Sequence, residues 1–210
     1  MTFNEEQATA EELWEHYMGK YKNPNPLAQL LTRRFFNTVQ GMLQTLPPGQ
    51  HILEVGCGPG ESTRRLLPML QNHSLEASEF EQRLVDYNLR HGFPVTLSQE
   101  SVYAMHRPDQ SFDCVLLLEV LEHLTDYEKA LQEIFRVSRR TVILSVPNEP
   151  LWRTLNFARG KYWSNWGNTP GHLNHWSAGA FTTLVAKYGR IVSVQTPTPW
   201  TLVHAEVNPR

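Results

Sequence analysis

Apolar side chains recur along this chain with two different periods, and the change of period divides it. Leu27, Leu30, Leu31, Phe35, Val39, Met42, Leu43 and Leu46 follow one another mostly at threes and fours, the spacing that lines one face of an α-helix. Asn25-Pro26 supplies an N-cap and a proline at the first helical position, and Pro47-Pro48-Gly49 stops the pattern. Upstream, residues 4–23 carry Glu5, Glu6, Glu11 and Glu12 and then Leu13, Trp14, Tyr17 and Met18. That arrangement predicts a short, polar, partly amphipathic helix.

From His51 the texture becomes short apolar runs, at 52–57, 75–78, 95–97, 112–118 and 141–146. Helical patterns separate them, one from Glu61, one over 82–90 and one over 126–137. Strands alternating with helices predict an α/β fold, a parallel sheet covered on both faces. After Pro147 a stretch rich in Trp, Asn, Gly and His runs to Trp176 without a clear period, followed by a helix over 177–188. The segments 190–196 and 201–207 read as two strands joined by a tight turn across Pro197, Pro199 and Trp200. No repeat or interdomain linker interrupts the 210 residues, so a single domain is expected. Its parts would be a helical cap over 1–47, a core over 48–147, a loop over 148–176 and a closing helix and strand pair over 177–210.

Composition narrows the function classes. With 40% hydrophobic, 10% aromatic and 19% charged residues, the chain has material for a sizeable core and is not a disordered segment. A formal charge of −2 lacks the positive field that phosphate-backbone binding needs, which disfavours a nucleic-acid partner. The longest apolar stretch, 114–118, ends at Glu119 and falls far short of the ~20 residues that cross a bilayer, so no membrane partner is expected. The acidic start, and two cysteines (Cys57 and Cys114) set far apart within or at the end of apolar runs, fit a cytoplasmic protein without disulfides.

The chemistry concentrates first at His51-Ile-Leu-Glu-Val-Gly-Cys-Gly-Pro-Gly-Glu-Ser62. Gly56, Gly58 and Gly60 follow a buried strand and precede a helix, so the backbone can turn tightly and approach a ligand. A dinucleotide site would place its third glycine at 61, with a pyrophosphate on the helix N-terminus. Position 61 is Glu, which repels phosphate, and no Gly-Lys-Ser/Thr follows to make a P-loop. An adenosine ligand without phosphates at this turn remains, with Glu54 at the strand end available to a cationic group. S-adenosylmethionine has that character.

The segment Glu54-Val-Gly56-Cys57-Gly58-Pro-Gly60 resembles the first motif of the class I S-adenosylmethionine-dependent methyltransferases, and the resemblance runs over about residues 40–195. It implies a doubly wound, Rossmann-like sheet of seven strands in the order 3-2-1-4-5-7-6, the last antiparallel. It further implies that an acid ending the second strand binds the ribose. Glu79 fits that role, with Phe80 beside it to pack on adenine and Glu76 as the other acid of the strand. Glu100, with Ser101 and Val102, occupies the place that faces the adenine amino group. Leu118 and Glu119, at the end of the fourth strand, would lie near the methionine portion. The acceptor is then a small, partly apolar or aromatic molecule, methylated on oxygen, nitrogen or carbon.

A hydroxyl acceptor calls for a base, and a histidine titrating near neutrality suits the task. His123 after the fourth strand, and His172 and His175 after the fifth, are the candidate catalytic residues at the sheet's carboxyl edge. Trp152, Trp163, Trp166 and Trp176, with Tyr162, either form an acceptor pocket or lid or pack the loop on the sheet. Trp14 and Tyr17 offer a second wall.

Two alternatives stand beside this reading. Glu119-x-x-Glu122-His123 with His172 or His175 is similar to the metal site of the small-RNA ribose 2′-O-methyltransferases related to Hen. Against it, that string resembles one found in ordinary small-molecule methyltransferases, and the chain has no basic surplus. No metal is therefore assigned. The other alternative is a non-catalytic, cofactor-binding regulatory protein.

Overall fold

The computed structural model describes residues 4–19, 21–149 and 171–208. Helix α1 (Ala10–Met18) begins later than its acidic approach suggests. Thr9 caps it, accepting from the Glu12 backbone while the Glu12 side chain reaches back to the Thr9 N–H. This reciprocal box fixes the start at Ala10 and leaves Glu5 and Glu6 ahead of the helix. Helix α2 (Pro26–Leu43) starts where expected, with the Asn25 side chain accepting from Leu27 and Ala28.

Seven strands follow: β1 (His51–Val55), β2 (Ser74–Glu79), β3 (Thr96–Gln99), β4 (Phe112–Leu118), β5 (Ser138–Pro147), β6 (Gly189–Gln195) and β7 (Trp200–Val207). Between them lie α3 (Glu61–Leu66), α4 (Gln82–Arg90), α5 (Tyr127–Val137) and α6 (Ala178–Val185). They form one sheet in the order β3-β2-β1-β4-β5-β7-β6, with β7 antiparallel to both its neighbours. This is the Rossmann-like methyltransferase arrangement that the sequence resemblance implied.

Alternate residues of the inner strands serve two cores. Leu53, Val55, Val115, Leu117, Val142 and Leu144 meet α5 and α6 through Leu131, Ile134, Phe181 and Val185. Ile52, Cys114, Leu116 and Ile143 meet α2 and α3 through Phe35, Phe36, Val39 and Leu66. A strand buried on both faces needs a near-continuous apolar run, which is why 112–118, broken only by Asp113 near its start, is legible as a strand. Both cysteines are buried free thiols.

From β1 the chain winds outward to β2 and β3, then returns to β4 on the other side of β1. The order reverses there, and ligands of open α/β sheets bind in the crevice outside the carboxyl ends of such strands. The glycine turn follows β1 at this edge. No helix among the described residues is long and apolar enough to cross a membrane.

Candidate active site

The turn after β1 is held from four sides. The amides of Gly56 and Cys57 donate to the Ser78 carbonyl at 2.8 and 3.0 Å. The amide of Gly58 donates to Glu79 Oε2 at 2.7 Å. The fully buried Asn88 of α4 donates its side-chain amide to the Gly58 carbonyl, 2.9 Å away. Finally the Trp14 indole of α1 donates to the Pro59 carbonyl at 3.1 Å. Gly56, Gly58 and Gly60 all have positive φ, the region where only glycine is at ease. A Cβ on Gly56 would sit 2.8 Å from Val120 Cγ2, and one on Gly60 would run into the Phe93 ring, whereas one on Gly58 would meet nothing within 4 Å. The backbone at Gly58 thus faces open space at the crevice.

Glu79 closes β2. Its other oxygen, Oε1, accepts from the amides of Phe80 and Glu81 at 2.8 and 2.9 Å. Burial pushes this carboxyl above its ordinary value, while the three backbone hydrogen bonds pull the other way. Phe80 beside it is 67% exposed, an aromatic face turned outward next to the crevice. Glu76 has a different environment, hydrogen-bonded to His51 and ion-paired to Arg107, so of the two acids of β2 only Glu79 meets the turn.

Glu54 is almost fully buried on β1 and accepts from Thr63 Oγ1 of α3 at 2.5 Å. Burial raises its pKa, against hydrogen bonds from Ser62 and Thr63. The Cys57 thiol is likewise pushed well up by burial, which keeps it from acting as a thiolate. Glu100, after β3, is 8% exposed; Oε1 accepts from Arg107 Nε at 2.9 Å. Its Oε2 is buried with no hydrogen-bond partner among the described residues. Ser101 and Val102 follow it, Val102 packing on the core beneath.

These residues fit S-adenosylmethionine. The orphaned oxygen of Glu100 suits an adenine amino donor, and Glu79 retains lone pairs for ribose hydroxyls beside the open Gly58 backbone. Phe80 offers a ring face to a base.

The other half of the edge belongs to β4 and β5. Leu118 ends β4 against the α2 side of the core. Glu119 follows it with φ 59°, rare for a residue with a side chain. Ser145 of β5 holds it there, its hydroxyl accepting from the Glu119 amide at 3.0 Å and donating to Glu119 Oε1 at 2.8 Å. A short 3₁₀ turn, Leu121–His123, comes next and is tied to the segment after residue 170. The Glu122 carbonyl accepts from Leu173 and Asn174, and the Asn174 side chain bonds the carbonyls of Leu121 and Leu124.

This knot brings the three predicted histidines together. His123 Nδ1 lies 2.9 Å from the Gly171 carbonyl. A carbonyl can only accept, so Nδ1 carries a proton; in the neutral ring the lone pair is then on Nε2. Nε2 is 3.8 Å from Oε1 of the buried Glu122, and the His123 and His172 rings meet edge to face with centroids 5.0 Å apart. Beyond them Glu149, 6% exposed, points Oε1 at His175 Nδ1 and His172 Nδ1, 3.6 and 4.0 Å away. Glu122, His123 and His172 each offer one ligand atom, all within 4.8 Å of one another, a grouping that suits a divalent cation. Glu119 is turned instead to Ser145.

Trp176 packs against Tyr127 and Phe181 in the core. The other aromatics singled out in that loop, Trp152, Tyr162, Trp163 and Trp166, lie outside the described residues. Sequence reasoning missed Asn88, Arg107 and Glu149. A buried amide amid the apolar positions of α4 was the available signal for Asn88; Glu149 had none beyond following the fifth strand directly.

A family model described as "Methyltransferase domain" matches residues 24–191. Among curated proteins, an O-methyltransferase of Pyrenophora dematioidea is 31% identical over 142 residues, covering 62% of this chain and 50% of its own. A 2-methyl-6-phytyl-1,4-hydroquinone methyltransferase of Synechocystis is 29% identical over 155 residues, covering 67% of this chain and 48% of its own. The chain spans about half the length of these relatives. Among solved structures, a magnesium protoporphyrin IX methyltransferase of Synechocystis with bound S-adenosylhomocysteine superposes with a TM-score of 0.68 at 16% identity, over 93% of each chain. A methyltransferase of Aquifex aeolicus gives 0.67 at 16% identity over 92% of this chain and 98% of its own. The comparisons lend no support to the RNA-directed, metal-dependent alternative or to the non-catalytic one. With the glycine turn, the strand order and the family match in agreement, the chain belongs to the class I methyltransferases, whose cofactor is S-adenosylmethionine.

Proposed function

We propose that this protein transfers the methyl group of S-adenosylmethionine to a small, partly apolar or aromatic acceptor, with His123 as the base when the acceptor is a hydroxyl. The observation that carries the proposal is the His123 Nδ1 contact with the Gly171 carbonyl. In the neutral ring that contact places the accepting nitrogen at Nε2, at the same sheet edge as the glycine turn. When bound, S-adenosylmethionine would supply an electrophilic methyl carbon whose transfer to the acceptor oxygen would release the sulfur as a neutral thioether. The hydroxyl proton passes to His123 Nε2. His172 and His175, braced by Glu149, stand as the further acceptor-side groups.

In this reading Glu54, Gly56, Cys57, Gly58 and Gly60 shape the methionine side of the cofactor site, with Leu118 and Glu119 opposite. Glu79, Phe80, Glu100, Ser101 and Val102 take the adenosine. Residues 1–47 act as a cap, 48–147 as the cofactor core, 148–176 as the acceptor side and 177–210 as its completion. The names of the relatives, an O-methyltransferase and a hydroquinone methyltransferase, favour a hydroxylated or aromatic acceptor. Two buried free thiols suit a reducing, cytoplasmic setting.

The test is a calorimetric titration with S-adenosylhomocysteine followed by transfer of labelled methyl to a panel of phenols, hydroquinones and amines. The variant His123→Asn should keep its affinity for S-adenosylhomocysteine and lose about 10²- to 10⁴-fold in transfer to the phenolic acceptors. Absence of binding by the wild type, or undiminished transfer by the variant, overturns the reading.

A further inference from the structure

We infer that a second site, distinct from the cofactor crevice, binds an organic phosphate in the cleft between α2 and α3. The cleft has a volume of about 750 Å³ and runs from Asn23, ahead of α2, along that helix to Asn37, against α3 and the 3₁₀ turn after it. Arg33, Arg64 and Arg65 line it, and among the described residues no carboxylate does. In a chain of net charge −2, three arginines lining one concave surface are a local reversal of sign.

The three groups are held differently. Arg65 pairs with Glu61 at 2.9 Å and lies over the rings of Tyr21 and Phe36, 5.6 and 5.3 Å from their centroids. It is thereby fixed in place before any ligand arrives. Arg64 lies over Phe93 and gives one N–H to the Pro59 carbonyl at 3.2 Å, leaving the rest of its donor fork. Arg33, exposed on α2, makes no ion pair among the described residues. Arg33 and Arg64, neither paired with a carboxylate among the described residues, match the dianionic charge of a phosphate monoester better than the single charge of a carboxylate, and a guanidinium fork suits phosphate oxygens. The amides of Asn23, Gln29 and Asn37 add neutral donors, and Pro26 and Met69 offer apolar surface to whatever the phosphate carries. The volume lies within the range of about 300–1,000 Å³ that small-molecule sites occupy, so the phosphate is expected to bear a body rather than bind alone.

The inference does not depend on the methyl-transfer reading, and its test excludes the cofactor site. With S-adenosylhomocysteine saturating and ionic strength held constant with potassium chloride, the protein is titrated calorimetrically with phenyl phosphate, inorganic phosphate and phenol. Phenyl phosphate should bind at a site that the arginine variants weaken, inorganic phosphate should bind there more weakly, and phenol, itself an acceptor candidate, should show no binding that those variants change. Arg33→Gln and Arg64→Gln should each weaken phenyl phosphate about tenfold, the order of one charge-assisted contact. Arg190→Gln, on the far edge strand β6, should leave it unchanged. Circular dichroism checks that each variant is folded, and affinity for S-adenosylhomocysteine in Arg33→Gln should match the wild type. Phenol binding that the arginine variants weaken, equal binding of inorganic phosphate, or wild-type affinity for phenyl phosphate in both arginine variants overturns the proposal.

Discussion

The carboxylate of Glu79 accepts a 2.7 Å hydrogen bond from the amide of Gly58, joining the end of β2 to the middle of the glycine turn. One acid thus sets the shape of the loop and faces the crevice at once. An amide in its place has a single acceptor oxygen and two donors, so Glu79→Gln must abandon either Gly58 or the Phe80 and Glu81 amides. Affinity for S-adenosylhomocysteine should fall by about tenfold or more, since a hydrogen bond to a charged group contributes about 1.5–3 kcal/mol. Titration calorimetry on the folded variant decides it.

Close contact at Gly56 gives a second prediction. Gly56→Ala places a methyl 2.8 Å from Val120 Cγ2 and holds an L-residue at φ 73°. A loss of about 1–3 kcal/mol is expected, or roughly 2–10 °C in Tm for a chain of this length. The double variant Gly56→Ala/Val120→Ala removes the clash but keeps the backbone strain and loses Val120 packing. Its deficit should therefore be smaller than the sum of the two single ones, measured by denaturant unfolding.

A third concerns pH. His204 on β7 is 5% exposed, and burial lowers its pKa below the ordinary 6.5, with Arg190 pulling the same way and Glu206 opposing. In the unfolded chain the imidazole takes a proton near 6.5 that the folded state resists. The unfolded state then binds more protons, and stability is lost as pH falls below about 6.5. Urea unfolding at about pH 7.5 and about pH 5.5 should show a drop in the wild type that is reduced in His204→Leu.

A fourth separates two uses of the trio Glu122, His123 and His172. In our reading His123 Nε2 receives a proton, so chelation with EDTA should leave the transfer rate unchanged. Activity that vanishes on chelation and returns with a divalent cation would make these groups metal ligands instead.

The parts of the fold that were plain in the sequence are those dictated locally. The apolar run 112–118 coincides with β4 because an inner strand must be apolar on both faces. The run 52–57 overshoots β1 by two residues, since Gly56 and Cys57 belong to the turn although neither is polar. Helix α6 ends at Val185, short of the expected Tyr188, because the periodic pattern continues into a turn that leads to β6. In the site, glycine spacing marked the turn, and the family resemblance pointed to Glu79 at the end of the second strand. Glu100 was different: its burial depends on Arg107, which also reaches Glu76 and Ser98. Glu149 acquires its meaning only when the segment after residue 170 folds back to bring His172 and His175 against it. Pairings of that kind are set by topology, and no spacing along the chain announces them.

The insertion of β7 between β5 and β6 sets an order in time. During synthesis β6 emerges before β7, yet it can join the sheet only through a strand that has not been made. Until residues 200–207 leave the ribosome, β5 presents an open edge and β6 has nowhere to pair. The nascent chain must wait with its inner sheet part-built, exposed to the hazards of an unpaired edge, and a chain cut short before Trp200 would stay in that state.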